Sequence, residues 1–132
     1  MHVGLATGFA YQGRNSGSDT DFIREEVDNL VMAEELGYDS VWITEHHFTD
    51  YSMSNDPLQL LTYLAGRTKR VKLGTQVIIV PWRDPVRLAE AIINLDHMTA
   101  SGLVRNYAFD EGLVPAGKGN SLARRGKESP RI

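Results

Sequence analysis

Short apolar runs alternate with longer segments of helical periodicity along the first 100 residues. The apolar runs predict three strands, at residues 2–9, Ser40–Thr44 and Val71–Val80. Between and after them, apolar positions recur every three or four residues, which predicts three helices, beginning near Asp19, Pro57 and Pro85. The order β-α-β-α-β-α is typical of parallel βαβ units, whose functional residues follow the C-terminal ends of the strands.

Polar residues, proline and glycine predict where these helices begin and end. Asp19 or Thr20 is expected to cap the first helix, and Gly37 to end it, because glycine adopts the left-handed conformation at little cost. The other two helices are expected to start at Asn55 or Asp56 with Pro57, and at Asp84-Pro85, where the missing proline N–H costs nothing. Lys69 and Arg70 are expected to close the second helix. The predicted inner faces are Leu58, Leu61, Leu64 and Ala65 on the second helix, and Val86, Ala89, Ile92, Ile93 and Met98 on the third.

The sequence changes character after about residue 100. Residues 101–132 contain five glycines, two prolines and scattered charges, so little regular structure is expected beyond residue 110. Leu103-Val104 is a candidate start of a fourth strand. We therefore divide the chain into an α/β portion at 1–100 and an irregular C-terminal tail at 101–132.

Composition excludes several classes of protein. The net charge of −3 argues against a large basic surface for nucleic acid, although the tail holds six Lys or Arg against three Asp or Glu. The absence of cysteine excludes disulfides, thiolate chemistry and cysteine zinc sites. No apolar run approaches the roughly 18 residues of a membrane span, and no signal peptide is recognisable at the start. A cytoplasmic protein of one domain, with no nucleic-acid or membrane partner, is the expectation.

The candidate chemistry lies at the end of the second predicted strand, in Glu45-His46-His47-Phe48. Imidazole titrates near neutral pH, which suits proton transfer, and adjacent residues at a strand end point to opposite sides, so one histidine faces the site. A metal site formed with Glu45 and Asp50 is the rival interpretation, but it lacks the i, i+4 ligand spacing of a helical zinc site. Glu45 is expected to accept a structural hydrogen bond or to be solvated.

Two other features favour structural roles. Trp42 and Trp82 are expected to pack, although Trp82 at a strand end could line an apolar pocket. Gly74 inside a strand is typical of a close backbone approach or a bulge.

Four ordered motifs resemble the bacterial luciferase-like family of flavin-dependent monooxygenases. They are Leu36-Gly37-Tyr38-Asp39-Ser40-Val41-Trp42 with Glu45-His46-His47-Phe48-Thr49-Asp50, Asn55-Asp56-Pro57, Leu73–Pro81 with Asp84-Pro85-Val86-Arg87, and Leu95-Asp96-His97-Met98. The resemblance covers about residues 1–100 and implies a (β/α)8 TIM barrel. Since that barrel needs eight units and roughly 250 residues, this chain supplies a partial barrel of three βα units. After Met98 the family pattern is lost, which suggests a truncated or frame-shifted member.

The resemblance also implies roles for individual residues. His46 matches the catalytic histidine, with proton transfer or stabilisation near the oxygen adduct of the flavin. Thr75, Gln76 and Val77 are expected to bind the cofactor, with a non-proline cis peptide between Gln76 and Val77. Ala6 and Tyr11 are expected on the substrate side, and His47 in a structural role.

The cofactor and partners follow from the same resemblance. Reduced FMN from a separate flavin reductase is expected, with the deazaflavin F420 as the alternative, and O2 and a small organic substrate as reactants. The second and third helices, at about 57–68 and 85–98, would form a homodimer or heterodimer contact. The alternative function is a non-catalytic remnant or interaction module of that family.

Overall fold

A parallel sheet with helices packed on one face forms the described part of the chain. The structure, a computed structural model, describes residues 1–10, 17–49 and 51–99. Its elements are β1 (Gly4–Thr7), α1 (Asp19–Glu35), β2 (Ser40–Ile43), α2 (Pro57–Ala65), β3 (Lys72–Thr75), a 3-10 turn (Val80–Trp82) and α3 (Pro85–Met98). The strands lie in the order β1-β2-β3, and both outer strands pair in parallel with β2. This confirms the predicted α/β class and element order.

The two faces of the sheet have different surroundings. Thr7, Ile43 and Thr75 are paired across the strands, and the Thr7 hydroxyl donates to Glu26 of α1 at 2.7 Å, so this row faces the helices. The hydrophobic core lies on this side and includes Val41, Ile43, Leu73, Leu30, Leu61 and Leu64. The opposite face, here called the open face, carries Gly4, Ala6, Trp42 and Gly74.

Trp42 lies across the open face and explains the glycine in β3. A Cβ added at Gly74 would lie 2.6 Å from Trp42 Cε3, and one added at Gly4 would lie 2.8 Å from Trp42 Nε1. The indole N–H donates to the Ser40 hydroxyl at 2.8 Å. The close approach predicted at Gly74 and the packing role predicted for Trp42 are therefore confirmed.

The third strand is shorter than predicted. It ends at Thr75, whereas the apolar run suggested a strand to Val80. Farther along the run, the Ile79 amide donates to the Glu45 carboxylate at 2.8 Å and not to a neighbouring strand. The apolar run therefore covers a strand, a loop and the start of the 3-10 turn.

The helix starts follow the predictions at α2 and α3 but not at α1. Asp56 and Asp84 cap α2 and α3, each followed by proline. Ser18, not Asp19 or Thr20, caps α1, because its hydroxyl accepts from the Asp21 amide at 3.2 Å. Gly37 has φ +91° and follows the C-terminus of α1 as predicted.

The C-terminal end of α2 was predicted too late. The helix ends at Ala65 with Gly66 as its cap, so Lys69 and Arg70 do not close it. Their amides, with that of Val71, donate instead to the carboxylate of Glu34, over distances of 2.6–3.1 Å.

The apolar positions predicted on α3 are only partly buried, since Ile92 packs against the core but most of the others lie at the surface. Leu88 and Leu95 are buried, whereas Val86, Ile93 and Met98 are 66%, 44% and 56% exposed. Both sides of α3 carry apolar residues at helical spacing, so periodicity alone could not choose between them. For α2, Leu58, Leu61 and Leu64 are buried as predicted.

Because three backbone amides donate hydrogen bonds to Glu34, the ionised form of its carboxyl stabilises the folded chain. Partial desolvation raises the pKa of the Glu34 carboxyl, but hydrogen bonds from the amides of Val71, Arg70 and Lys69 outweigh it and hold this pKa below its ordinary value. A carboxyl whose pKa is lowered by folding stabilises the fold above its unfolded pKa. That stabilisation is lost as the pH falls through the folded pKa.

We expect Glu34→Gln to lower the free energy of unfolding by about 1–3 kcal/mol at neutral pH, since the amide NH2 cannot accept from backbone N–H groups. Urea denaturation at several pH values measures this. The difference from the unchanged chain should shrink at acidic pH, below the lowered pKa of Glu34. Glu35→Gln, at an exposed neighbour, is the control, and an equal loss in both variants would contradict the assignment.

Several predictions fall outside the described residues. These are the irregular tail at 101–132, the strand start at Leu103-Val104, the substrate-side residue Tyr11 and the metal-ligand candidate Asp50. Within the described ranges, none of the helices has the length and apolar character needed to cross a membrane.

Candidate functional site

The candidate site is the edge of the sheet where the three parallel strands end. The ladder runs one residue past β2 and β3, since the Thr44 amide donates to Thr7 O at 3.2 Å and the Gln76 amide to Ile43 O at 2.9 Å. The loops that follow β2 and β3 therefore leave the sheet side by side. His46 lies in the first loop, and Val77 lies in the second.

The loop after β2 is held against the strand ends by two serines. The Ser54 hydroxyl donates to the Thr44 carbonyl and the Ser52 hydroxyl to the Gly8 carbonyl. In addition, the backbone amide of His46 donates to the backbone carbonyl oxygen of Ser54 at 2.8 Å. Both serines are buried, so the backbone of His46 is fixed by hydrogen bonds that water cannot easily replace.

The His46 side chain is half-buried and contacts Tyr51. The Tyr51 hydroxyl lies 2.9 Å from Nδ1 and 3.4 Å from Nε2 of His46, and the ring centroids are 5.2 Å apart. Because the phenol oxygen lies within 3.4 Å of both ring nitrogens, it lies over the face of the imidazole and not in its plane. An imidazole at an accessible strand end is placed to exchange a proton with a molecule bound there.

Glu45 joins the two loops and has the structural role predicted for it. Its side chain is 1% exposed, and its Oε1 lies 2.8 Å from His47 Nε2 and 3.2 Å from Arg83 Nη2. Its Oε2 accepts the hydrogen bond from the Ile79 amide. Arg83 also reaches the α2 cap, Asp56, at 3.4 Å. His47 therefore belongs to this network, as its predicted structural role requires.

Three aromatic rings form an exposed cluster beside this network. His47 stacks on Trp82 with centroids 4.6 Å apart, and Phe48 lies 6.0 Å from Trp82. Phe48 is 96% exposed and has φ +53°, and Trp82 is 59% exposed. Trp82 thus packs against a histidine at the surface and not in the core.

The structure places the predicted cofactor residues unequally. Gln76 and Val77 are exposed at the strand-end edge, and the peptide bond between them is cis, as the resemblance implied. Thr75 is only 4% exposed and its side chain faces the helices. Only its backbone is therefore accessible at the strand-end edge. Ala6 is exposed on the open face, one residue before the end of β1. No set of three His, Asp or Glu among the described residues is placed to hold a metal ion.

Sequence reasoning missed four residues that build this site: Tyr51, Ser52, Ser54 and Arg83. Tyr51 follows His46 by five residues in a loop, where no periodicity indicates contact. Ser52 and Ser54 looked like ordinary loop residues. The buried carboxylate of Glu45, once assigned, was the one indication that a cation such as Arg83 lies nearby, because buried charges are paired.

Comparison with protein families and curated proteins gives a consistent result. The family model described as luciferase-like monooxygenase matches residues 1–103. The alkanal monooxygenase alpha chain of Photorhabdus laumondii is 38% identical over 82 residues, which are 62% of this chain and 23% of that protein. The same subunit from Photobacterium leiognathi is 34% identical over 83 residues, 63% of this chain and 23% of its own length. The chain thus spans about a quarter of these relatives.

Solved structures share the fold. The oxygenating constituent of 3,6-diketocamphane monooxygenase from Pseudomonas putida, a type II Baeyer-Villiger monooxygenase in complex with FMN, superposes with a TM-score of 0.66 at 26% identity. The match covers 74% of this chain and 26% of that one. The F420-dependent tetrahydromethanopterin reductase of Methanopyrus kandleri gives a TM-score of 0.58 at 21% identity, covering 87% and 30% of the two chains, which shows likeness of fold alone.

Proposed function

Because the chain belongs to the luciferase-like monooxygenase family, we propose that it forms the N-terminal part of a flavin-dependent monooxygenase that oxidises a small organic substrate with O2. The observation that supports this most is the placement of His46 and of the Gln76–Val77 peptide after adjacent parallel strands, at one edge of the sheet. Functional residues of βα barrels lie at this edge.

The proposed fold is a partial (β/α)8 barrel made of the first three βα units, in residues 1–100, followed by an irregular tail at 101–132. Parallel sheets are normally covered on both faces, yet here the helices of the described residues cover one. The open face carries an indole laid flat between two glycines. Such a face suits the interior of a barrel, where side chains from several strands pack in layers.

The residues at the edge fit a flavin ring. Val77 is 37% exposed and offers an apolar surface, Gln76 offers amide hydrogen bonds, and Ala6 is small enough to leave the open face accessible. Thr44 Oγ1 is buried at the same edge with no hydrogen-bond partner among the described residues. Gln76 and Val77, with the backbone of Thr75, would hold the cofactor, and Ala6 and Tyr11 would border the substrate.

His46 is the proposed catalytic residue, and its role is to hold or move a proton at an imidazole nitrogen. The buried serine hydrogen bonds fix its backbone. Reduced flavin, when bound, would supply two electrons, so that one oxygen atom of O2 enters the substrate and the other leaves as water.

We favour FMN over F420 and an aldehyde or ketone as substrate. The curated relatives are named alkanal monooxygenases, and the structure that carries FMN is the more similar of the two compared. A separate flavin reductase would deliver the reduced cofactor, and the cytoplasm, where such reductases work, is the proposed location.

The titration of the purified chain with reduced FMN, under anaerobic conditions, tests this function. We expect micromolar binding, seen as a change in the absorption spectrum of the reduced flavin. Val77→Glu should weaken binding at least tenfold, because its carboxylate must lose water when an apolar ring covers it.

Met32→Glu is the matched control, since Met32 is 45% exposed on α1, away from the strand ends. It should bind reduced FMN like the unchanged chain. Absence of binding to the unchanged chain, or equal effects of the two substitutions, would contradict the proposed cofactor site.

A subunit contact through α2 and α3 is the second part of the proposal, and it is also what a non-catalytic interaction module would retain. Tyr63 on α2 and Val86 and Ile93 on α3 are 59%, 66% and 44% exposed. A second copy, or a homologous subunit, would cover them. For the unchanged chain, light scattering should give twice the chain mass of 14.7 kDa. The variant Ile93→Lys should give the mass of one chain. A monomeric unchanged chain would exclude the homodimer.

A further inference from the structure

One carboxylate of α1 holds the turn that follows β1. The Thr7 hydroxyl donates to Glu26 Oε2 at 2.7 Å and accepts a hydrogen bond from the Phe9 amide at 3.1 Å. A hydroxyl has one proton and two lone pairs, so it can serve both partners at once. Because its proton is directed to Glu26, a lone pair is left to accept from Phe9. The carboxylate therefore fixes the orientation in which Thr7 receives the turn.

The backbone of Phe9 needs such support. Its φ of +48° lies in the left-handed region, which an aromatic residue rarely adopts, and its ring is completely buried. In this conformation the turn contacts the loop after β2 at three points. The carbonyl of Gly8 accepts from the Ser52 hydroxyl, the carbonyl of Phe9 accepts from the Met53 amide at 3.1 Å, and Ala10 forms an antiparallel bridge with Ser52.

The loop that receives these contacts also carries His46, whose amide donates to the carbonyl of Ser54 at 2.8 Å. We infer that Glu26 is a positioning residue for His46, acting through Thr7 and the turn after β1. This inference rests on the proposed function, in which His46 moves a proton. Glu26 lies on the helical side of the sheet and has no contact with the strand-end edge. The place of the imidazole is thus set partly from α1.

Amide hydrogen exchange of the full chain, followed by NMR without any flavin, tests the inference. In Glu26→Ala the amides of Phe9, Met53 and His46 should exchange about tenfold faster, as expected when a hydrogen bond that holds them is weakened. The amide of Lys72, bonded at the opposite edge of the sheet, should keep its rate. Unchanged rates at the three amides, or a uniform acceleration that includes Lys72, would overturn the inference.

Three further variants separate positioning from a general disturbance. Glu26→Gln keeps an acceptor oxygen for the Thr7 hydroxyl and should restore slow exchange. Thr7→Val keeps the volume but removes the hydroxyl, so it should accelerate the same three amides, and it serves if Glu26→Ala does not fold.

Asp28→Ala is the matched control, because it removes another α1 carboxylate, whose partner is Arg67 at 2.8 Å. It should leave the three amides unchanged. Faster exchange of these amides in Asp28→Ala, or none in Thr7→Val, would contradict the inference. Since no cofactor is added, failure of FMN to bind contradicts the proposed function and leaves this test intact.

Discussion

His46→Gln should lower kcat for aldehyde oxidation by reduced FMN and O2 by about 10²–10⁴-fold in the full protein, the usual contribution of a general acid or base. Glutamine is of similar size and forms hydrogen bonds, but it does not titrate near neutral pH. The measurement is initial rate at saturating aldehyde. Binding of reduced FMN should change little, because the role assigned to His46 is proton transfer and not affinity.

The control for this prediction is His2→Gln. His2 is exposed and bonds the Ser40 hydroxyl at 3.0 Å, at the N-terminal end of β2 and thus at the opposite edge of the sheet. Its substitution should leave kcat unchanged. If His46→Gln retained full kcat, or if both variants lost activity equally, the assignment of His46 would be wrong.

Glu45→Ala should lower the free energy of unfolding by about 3–5 kcal/mol, because it removes one partner of a buried charged network. Arg83 would lose its buried counter-charge, and the Ile79 amide would lose its acceptor. Urea denaturation with an unchanged m-value measures the loss. The two loops of the candidate site would also lose their direct connection.

Glu35→Ala removes an exposed carboxylate and should change stability by less than about 0.5 kcal/mol. Glu45→Gln keeps one acceptor oxygen and should fall between the two. A Glu45→Ala chain as stable as Glu35→Ala would show that the network around Glu45 contributes nothing to the fold.

The element order could be predicted because local chemistry determines it. Asp56-Pro57 and Asp84-Pro85 begin helices by capping, and Gly37 ends one by its conformation, without help from distant residues. The apolar runs that begin near Ser40 and Val71 indicated strands of a parallel sheet, although the second run extends beyond its strand. These are short-range properties, and the sequence carries them fully.

The sequence predictions were wrong where contacts between residues far apart in the chain determine the structure. The apolar run extends beyond the third strand, and the Ile79 amide in it binds a carboxylate 34 positions upstream, which no local pattern shows. The inner face of α3 was predicted only in part, because Val86 and Ile93 match the helical period as well as Leu88 and Leu95 do. Tyr51 was overlooked for the same reason, since its contact with His46 depends on how the loop folds over the strand ends.

The central claim is that reduced FMN binds at the strand-end edge, beside His46 and Val77. The most direct measurement is an anaerobic titration of the 15N-labelled chain with reduced FMN, followed by amide NMR. We predict that the perturbed amides are those of Ala6, His46, Gln76 and Val77, with α1 and the outer side of α2 unchanged. Perturbations confined to the helices, or none at the strand ends, would contradict the account.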